Sequence, residues 1–104
     1  HTNPFHTAYW QLLQSADMAG LHEEWLTLLT GLLQTQPLNN FSLWDFSRDS
    51  TYIHEPVPAA GDLVPPLQWF WEPAHYRSSL GNLMLDAMLA EQCGSEASFG
   101  EKML

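Results

Sequence analysis

The chain has 104 residues, 45% of them hydrophobic, with five Trp, five Phe and three Tyr, which is enough to fill the core of one domain and argues against disorder. Twelve acidic residues against three basic ones (Arg48, Arg77 and Lys102) give a formal charge of −9, which repels phosphate backbones and anionic headgroups and disfavours nucleic-acid and membrane-surface partners. Charged residues make up only 14% of the chain, against about 25% in an average soluble domain, and such a surface favours burial against further chain or a second copy.

The single cysteine, Cys93, has no internal disulfide partner and reads as a small apolar residue near a helix end. No basic-then-apolar leader opens the sequence, and no apolar run approaches the ~18 residues of a bilayer span, so no membrane span is expected in this chain. Its start at His1-Thr2-Asn3 suggests a processed or trimmed product.

Asn3 before Pro4 has the pattern of an N-cap followed by proline at the first helical position. With Phe5, Tyr9, Leu12, Leu13 and Ala16 at helical spacing and Gly20 as a stop, it predicts a helix over 4–18. A second helix begins near Leu21, with Glu23 and Glu24 in its first turn. Its apolar stripe of Leu21, Trp25, Leu28, Leu29 and Leu32 predicts a face packed in a helix hairpin. Pro37, Asn39 and Asn40 break the pattern, and the aromatic run Phe41–Phe46 predicts one buried strand. Residues 47–66, rich in Pro, Gly, Ser and Asp, predict a long loop. A last helix is expected from Ser78 or Ser79, acting as its cap, to near Gly94, with Leu80, Leu83, Met84, Ala87 and Met88 facing inward. The sequence thus divides into a unit over 1–94 and a frayed tail over 95–104.

Between the last aromatics and the last helix stands Glu72-Pro73-Ala74-His75. Three residues of separation across a turn place a carboxylate and an imidazole on one side, and proline stiffens the turn. Taken with "SLWDF", "EPVP" and "WFWEPAHYRSSLGNLMLD", the stretch over 3–90 resembles the C-terminal region of SGNH (GDSL-type) hydrolases and of bacterial SGNH-like proteins, whose last catalytic block is Asp-x-x-His before the final helix. That resemblance implies an α/β fold, the C-terminal part of an SGNH/flavodoxin-like α/β/α sandwich, mostly helical by itself. It also implies His75 as general base and Glu72 as the carboxylate that orients it, in a serine esterase or acyl-transfer site. The implied substrates are esters, with O-acyl groups on envelope carbohydrate as one class. No metal or organic cofactor is implied, and the implied location is the bacterial cell envelope.

Two departures stand beside the resemblance. Glu72 replaces the usual Asp, adding a methylene to the reach, and the family's Gly-Asp-Ser nucleophile block is missing: "AAGDLV" carries Leu63 after Gly61-Asp62. Neither Ser47 nor Ser50 matches a family position, so neither is assigned as nucleophile. The nucleophile is therefore expected from upstream sequence of the same protein or from a homo-oligomer.

Plainer readings apply elsewhere. Arg77 is expected to pair with a carboxylate, Asp45 and Ser47 to make local turn hydrogen bonds, and Trp69 and Trp71 to belong to a core or interface. His1, His6, His22 and His54 lack metal-ligand spacing. The rival reading of the whole chain is a non-catalytic helical interaction or self-association module, since a lone strand leaves its own backbone groups unpaired.

Overall fold

A computed structural model describes residues 1–37, 40–62, 66–90 and 99–104. In chain order they form α1 (Thr7–Ser15), α2 (Ala19–Gln34), β1 (Trp44–Asp45), a 3₁₀ turn (Thr51–His54), β2 (Phe70–Glu72), β3 (His75–Tyr76), α3 (Ser78–Ala90) and β4 (Glu101–Lys102). The strands make two antiparallel two-stranded ladders, β1 with β4 and β2 with β3.

The first helix starts later than expected. His6, not Asn3, takes the N-cap: its backbone is extended and its Nδ1 accepts the Ala8 N–H at 3.0 Å. Pro4 is instead fully buried in an extended arm, and burial of this arm overrides the local Asn-Pro preference. The helix closes with paired bonds from Asp17 N–H to Gln14 O (3.1 Å) and from Met18 N–H to Leu13 O (2.8 Å). This is the left-handed cap in which glycine is usual, here carried by Asp17 at φ 56°. Gly20, expected as the stop, lies inside α2.

α1 and α2 are in contact, but α2 does not bury the predicted stripe. Leu26 is buried and Leu29 and Leu33 half-buried, whereas Leu21, Trp25, Leu28 and Leu32 are exposed. Apolar residues occupy two adjacent faces of this helix, so periodicity alone could select either one.

The expected single strand is buried over Leu43–Ser47 but is only two residues long in its ladder, and it is not alone. Successive carbonyls of a strand point to opposite sides. Trp44 O accepts the Thr2 N–H at 2.9 Å and Leu43 O accepts the Met103 N–H at 2.8 Å, so the two ends of the chain flank β1. The stretch 99–104, expected to fray, therefore packs: Phe99 is buried and Glu101 and Lys102 pair with Asp45 and Trp44. Cys93 and the expected helix end at Gly94 lie outside the described residues.

α3 buries Leu80, Met84 and Ala87 as expected, with Leu83 and Met88 packed beside them against Trp44, Phe46, Ile53, Phe70 and Phe99. Neither Ser78 nor Ser79 caps it; the Ser79 hydroxyl donates to Gln68 O at 2.5 Å. The whole measures 53 × 37 × 16 Å with a radius of gyration of 15.7 Å, against about 13 Å for a compact chain of this length. The fold is a slab in which, among the described residues, one face of α2 is left exposed.

Candidate functional site

Glu72 and His75 face each other across the four-residue turn that joins β2 to β3. Proline at the second turn position fixes its φ near −65°, and Ala74 keeps a negative φ, so the turn lacks the twist that two-residue hairpins favour. The ladder absorbs the mismatch as an irregularity: Phe70 pairs with Tyr76 and Glu72 with His75, leaving Trp71 as an extra residue on the β2 side. Trp71 is 67% exposed, and the Arg77 guanidinium lies 3.8 Å from its ring centroid. Arg77 also donates to Leu67 O at 3.1 Å. Among the described residues the expected Arg77–carboxylate pair is absent, and this stacking and carbonyl contact stand in its place. Trp69 follows the core reading, edge-on to Tyr52 at 5.0 Å.

Within the turn, Glu72 Oε2 accepts the Ala74 N–H at 2.9 Å, and Oε1 accepts from His75 Nδ1. The Ala74 N–H first, and then the His75 imidazole, hold the Glu72 carboxyl below its ordinary range. With Nδ1–H committed to Glu72, the His75 lone pair lies on Nε2. Among the described residues Nε2 has no hydrogen-bond partner, and the side chain is 80% exposed. No serine hydroxyl is bonded to it among the described residues.

The turn is braced from behind. His6 N–H donates to Pro73 O at 3.0 Å, and His6 Nε2–H donates to Glu55 O at 2.7 Å. The Glu55 carboxylate accepts the backbone N–H groups of Gln68 and Trp69, and Arg77 N–H donates to Trp69 O at 2.7 Å. Glu55 and His6 thus tie arm, loop and hairpin together. Nothing in the spacing of "EPVP" or "PFH" signals this, because the partners lie far apart in sequence.

A second polar cluster surrounds β1. The Asp45 carboxylate is 1% exposed; its Oδ1 accepts from Thr2 Oγ1 (2.6 Å), Ser47 N (3.0 Å) and Ser47 Oγ (2.6 Å), and Oδ2 accepts from Arg48 Nε (3.1 Å). Burial raises the pKa of this carboxyl, but the Ser47 and Thr2 hydroxyls, the Ser47 N–H and the Arg48 charge outweigh it and hold the pKa below the usual value. The expected local turn bonds of Ser47 are present, and Thr2 joins them from the far end of the chain. His22 Nε2 lies 2.9 Å from Ser47 Oγ. Because the one hydroxyl proton goes to Asp45, Ser47 accepts from His22, and an imidazole that donates to a serine takes no proton from it. The order His-Ser-Asp is therefore a structural chain and not a nucleophile with its base. Arg48 also meets Glu101 at 2.8 Å, anchoring β4.

Gly61-Asp62 forms a local turn, with Asp62 accepting from and donating to Ala59; Leu63 lies outside the described residues. His54 pairs with Asp49 through Nε2, the opposite ring nitrogen from His75. Two clefts of about 430 and 620 Å³ open elsewhere, one beside Phe46, Tyr52 and Phe99 and one beside Trp10, His22 and Ser47. Among the described residues no three His, Cys, Asp or Glu side chains converge as a metal site, and no helix is long and apolar enough to cross a membrane. No protein-family model, no curated protein and no solved structure matches the chain.

Proposed function

We propose that Glu72 and His75 are the acid–base half of a Ser-His-carboxylate site for ester hydrolysis or acyl transfer, of the kind used by SGNH hydrolases. The observation that carries this reading is the orientation of His75: Nδ1–H held by a carboxylate, Nε2 open and outward. That is the arrangement a general base needs. In the reaction, a serine hydroxyl brought to Nε2 gives up its proton as its oxygen attacks the acyl carbon. Glu72 stabilises the resulting imidazolium, which returns the proton to the departing alkoxide so that an alcohol leaves and the acyl group stays on the serine. Water repeats the sequence to release the acid.

The nucleophile comes from outside the described residues, supplied by upstream sequence of the same protein or by a second copy. The slab thickness of 16 Å supports a chain that forms one part of a larger α/β/α sandwich. The exposed indole of Trp71 beside the turn suits an acylated carbohydrate, and with such a substrate the protein belongs at the bacterial envelope.

An activated ester tests the half-site directly in the 104-residue chain, because an oriented imidazole reacts with p-nitrophenyl acetate without a serine. His75→Ala removes most of the histidine-dependent rate, Glu72→Ala lowers it, and His54→Ala leaves it unchanged. Equal losses from His54→Ala and His75→Ala would show no special orientation at His75 and sink the proposal.

A further inference from the structure

The face of α2 that the described residues leave open has a second regularity. Met18, Leu21, Trp25, Leu28 and Leu32 are 45, 54, 49, 68 and 60% exposed. Their spacings alternate three and four residues, the a/d repeat of a two-helix seam. Summed over these residues the exposed area is roughly 500–600 Å², at the upper end of the largest patch a monomer usually leaves uncovered.

We infer that this seam is a homodimer interface in which α2 packs antiparallel against α2 of a second copy. The inference is independent of the Glu72–His75 reading. Doubling the patch gives roughly 1,000–1,200 Å² buried in total, which clears the ~1,000 Å² that a specific interface needs. The layers choose the direction. With the twofold axis between Trp25 and Leu28, Trp25 meets Leu28 of the second copy, Leu21 meets Leu32, and Met18 meets Thr35. A parallel pairing would instead crowd two indoles into one layer.

The flanking charges agree with this direction. In the antiparallel register Glu24 sits opposite Gly31 of the second copy and Leu29 opposite His22, so no carboxylates are opposed across the seam despite the −9 charge of each chain. α2 contains no Lys or Arg, which leaves an anionic bilayer surface without the cations it attracts. A second copy satisfies both the shape and the charge of the face.

Sedimentation equilibrium of the 104-residue chain from 1 to 200 µM, repeated on Leu28→Glu, tests this. The expected result is a dimer at tens of micromolar, weakened about a hundredfold or more by Leu28→Glu, which places a charge in a central layer of both helices. Far-UV circular dichroism should stay unchanged, since Leu28 is exposed in the monomer. A chain that is monomeric at 200 µM, or a dimer indifferent to Leu28→Glu, overturns the inference. Direction is read separately with Met18→Cys and Thr35→Cys in one chain, with Cys93 replaced by serine. Oxidation should join position 18 of one copy to position 35 of the other, and 18–18 and 35–35 links would overturn the antiparallel pairing.

Discussion

Replacing Asp45 by asparagine keeps the shape of a buried side chain, removes its charge and exchanges one acceptor oxygen for a donor. The amide oxygen still accepts from Thr2 Oγ1, Ser47 N and Ser47 Oγ, now as neutral bonds, while the amide N–H₂ turns a donor toward Arg48 Nε, 3.1 Å from the present Oδ2. Bonds to a charged acceptor contribute about 1.5–3 kcal/mol against about 0.5–1.5 for neutral ones. With part of the difference offset by easier burial of the amide, the loss comes to about 2–3 kcal/mol. Asp45→Ala, which strands the donors, should cost about 3–5 kcal/mol. Both are large against the ~5–15 kcal/mol that holds a domain of this size together. Urea unfolding followed by tryptophan fluorescence measures the loss as a lower midpoint at unchanged slope.

The pH dependence gives a second check. The Asp45 pKa is lowered in the folded state, so the unfolded chain binds more protons at acid pH. The stabilisation is complete above the unfolded value of ~3.9 and is lost as pH falls through the folded one. The gap between the wild-type chain and Asp45→Asn should therefore narrow on acidification. A loss below about 0.5 kcal/mol at neutral pH, together with an unchanged acid limb, would refute the idea that this cluster pins both chain ends to β1.

Other substitutions probe single contacts. At Gly100 the φ is 82° and an added Cβ would stand 2.3 Å from Cε1 of the fully buried Phe46 ring. Gly100→Ala should cost about 3 kcal/mol from strain and overpacking combined, whereas Gly61→Ala, at φ 90° with open space around it, should cost about 1 kcal/mol. Thermal melts showing equal losses would contradict the packing of 99–104. Asp17→Gly relieves the left-handed residue between α1 and α2 and should add about 0.5–1 kcal/mol, seen as a rise of a few degrees in Tm; a fall would contradict the cap. Incubation with a fluorophosphonate followed by intact-mass analysis should leave the chain unmodified, and an adduct that requires His75 would place the nucleophile within these 104 residues.

The parts of the fold legible in sequence are those decided locally. α3 has apolar residues on one face, and Leu80, Met84 and Ala87 are buried as read. Glu72 and His75 come together because a four-residue turn with proline brings its ends together whatever surrounds it. α2 shows the opposite case, since two adjacent faces have nearly equal apolarity and only tertiary contacts choose between them. β4 and the Thr2–Asp45 bond join residues more than 40 positions apart, and no window along the chain contains both partners. His6 shows how a buried arm can take over a cap that Asn3-Pro4 advertises more strongly. The support given by Glu55 was illegible for the same reason, because a carboxylate in a proline-rich loop looks solvated until the backbone it holds is known.

The functional reading depends on which nitrogen of one imidazole carries the proton. A long-range ¹H–¹⁵N correlation spectrum of the ¹⁵N-labelled chain at pH 8, with His75→Ala to assign the signal, reports this directly. The account predicts a proton on Nδ1 of His75, and loss of that fixed tautomer in Glu72→Ala. A proton on Nε2 in the wild-type chain would close the nitrogen that must receive the serine proton, and would contradict the proposal that Glu72 and His75 form half of a hydrolytic site.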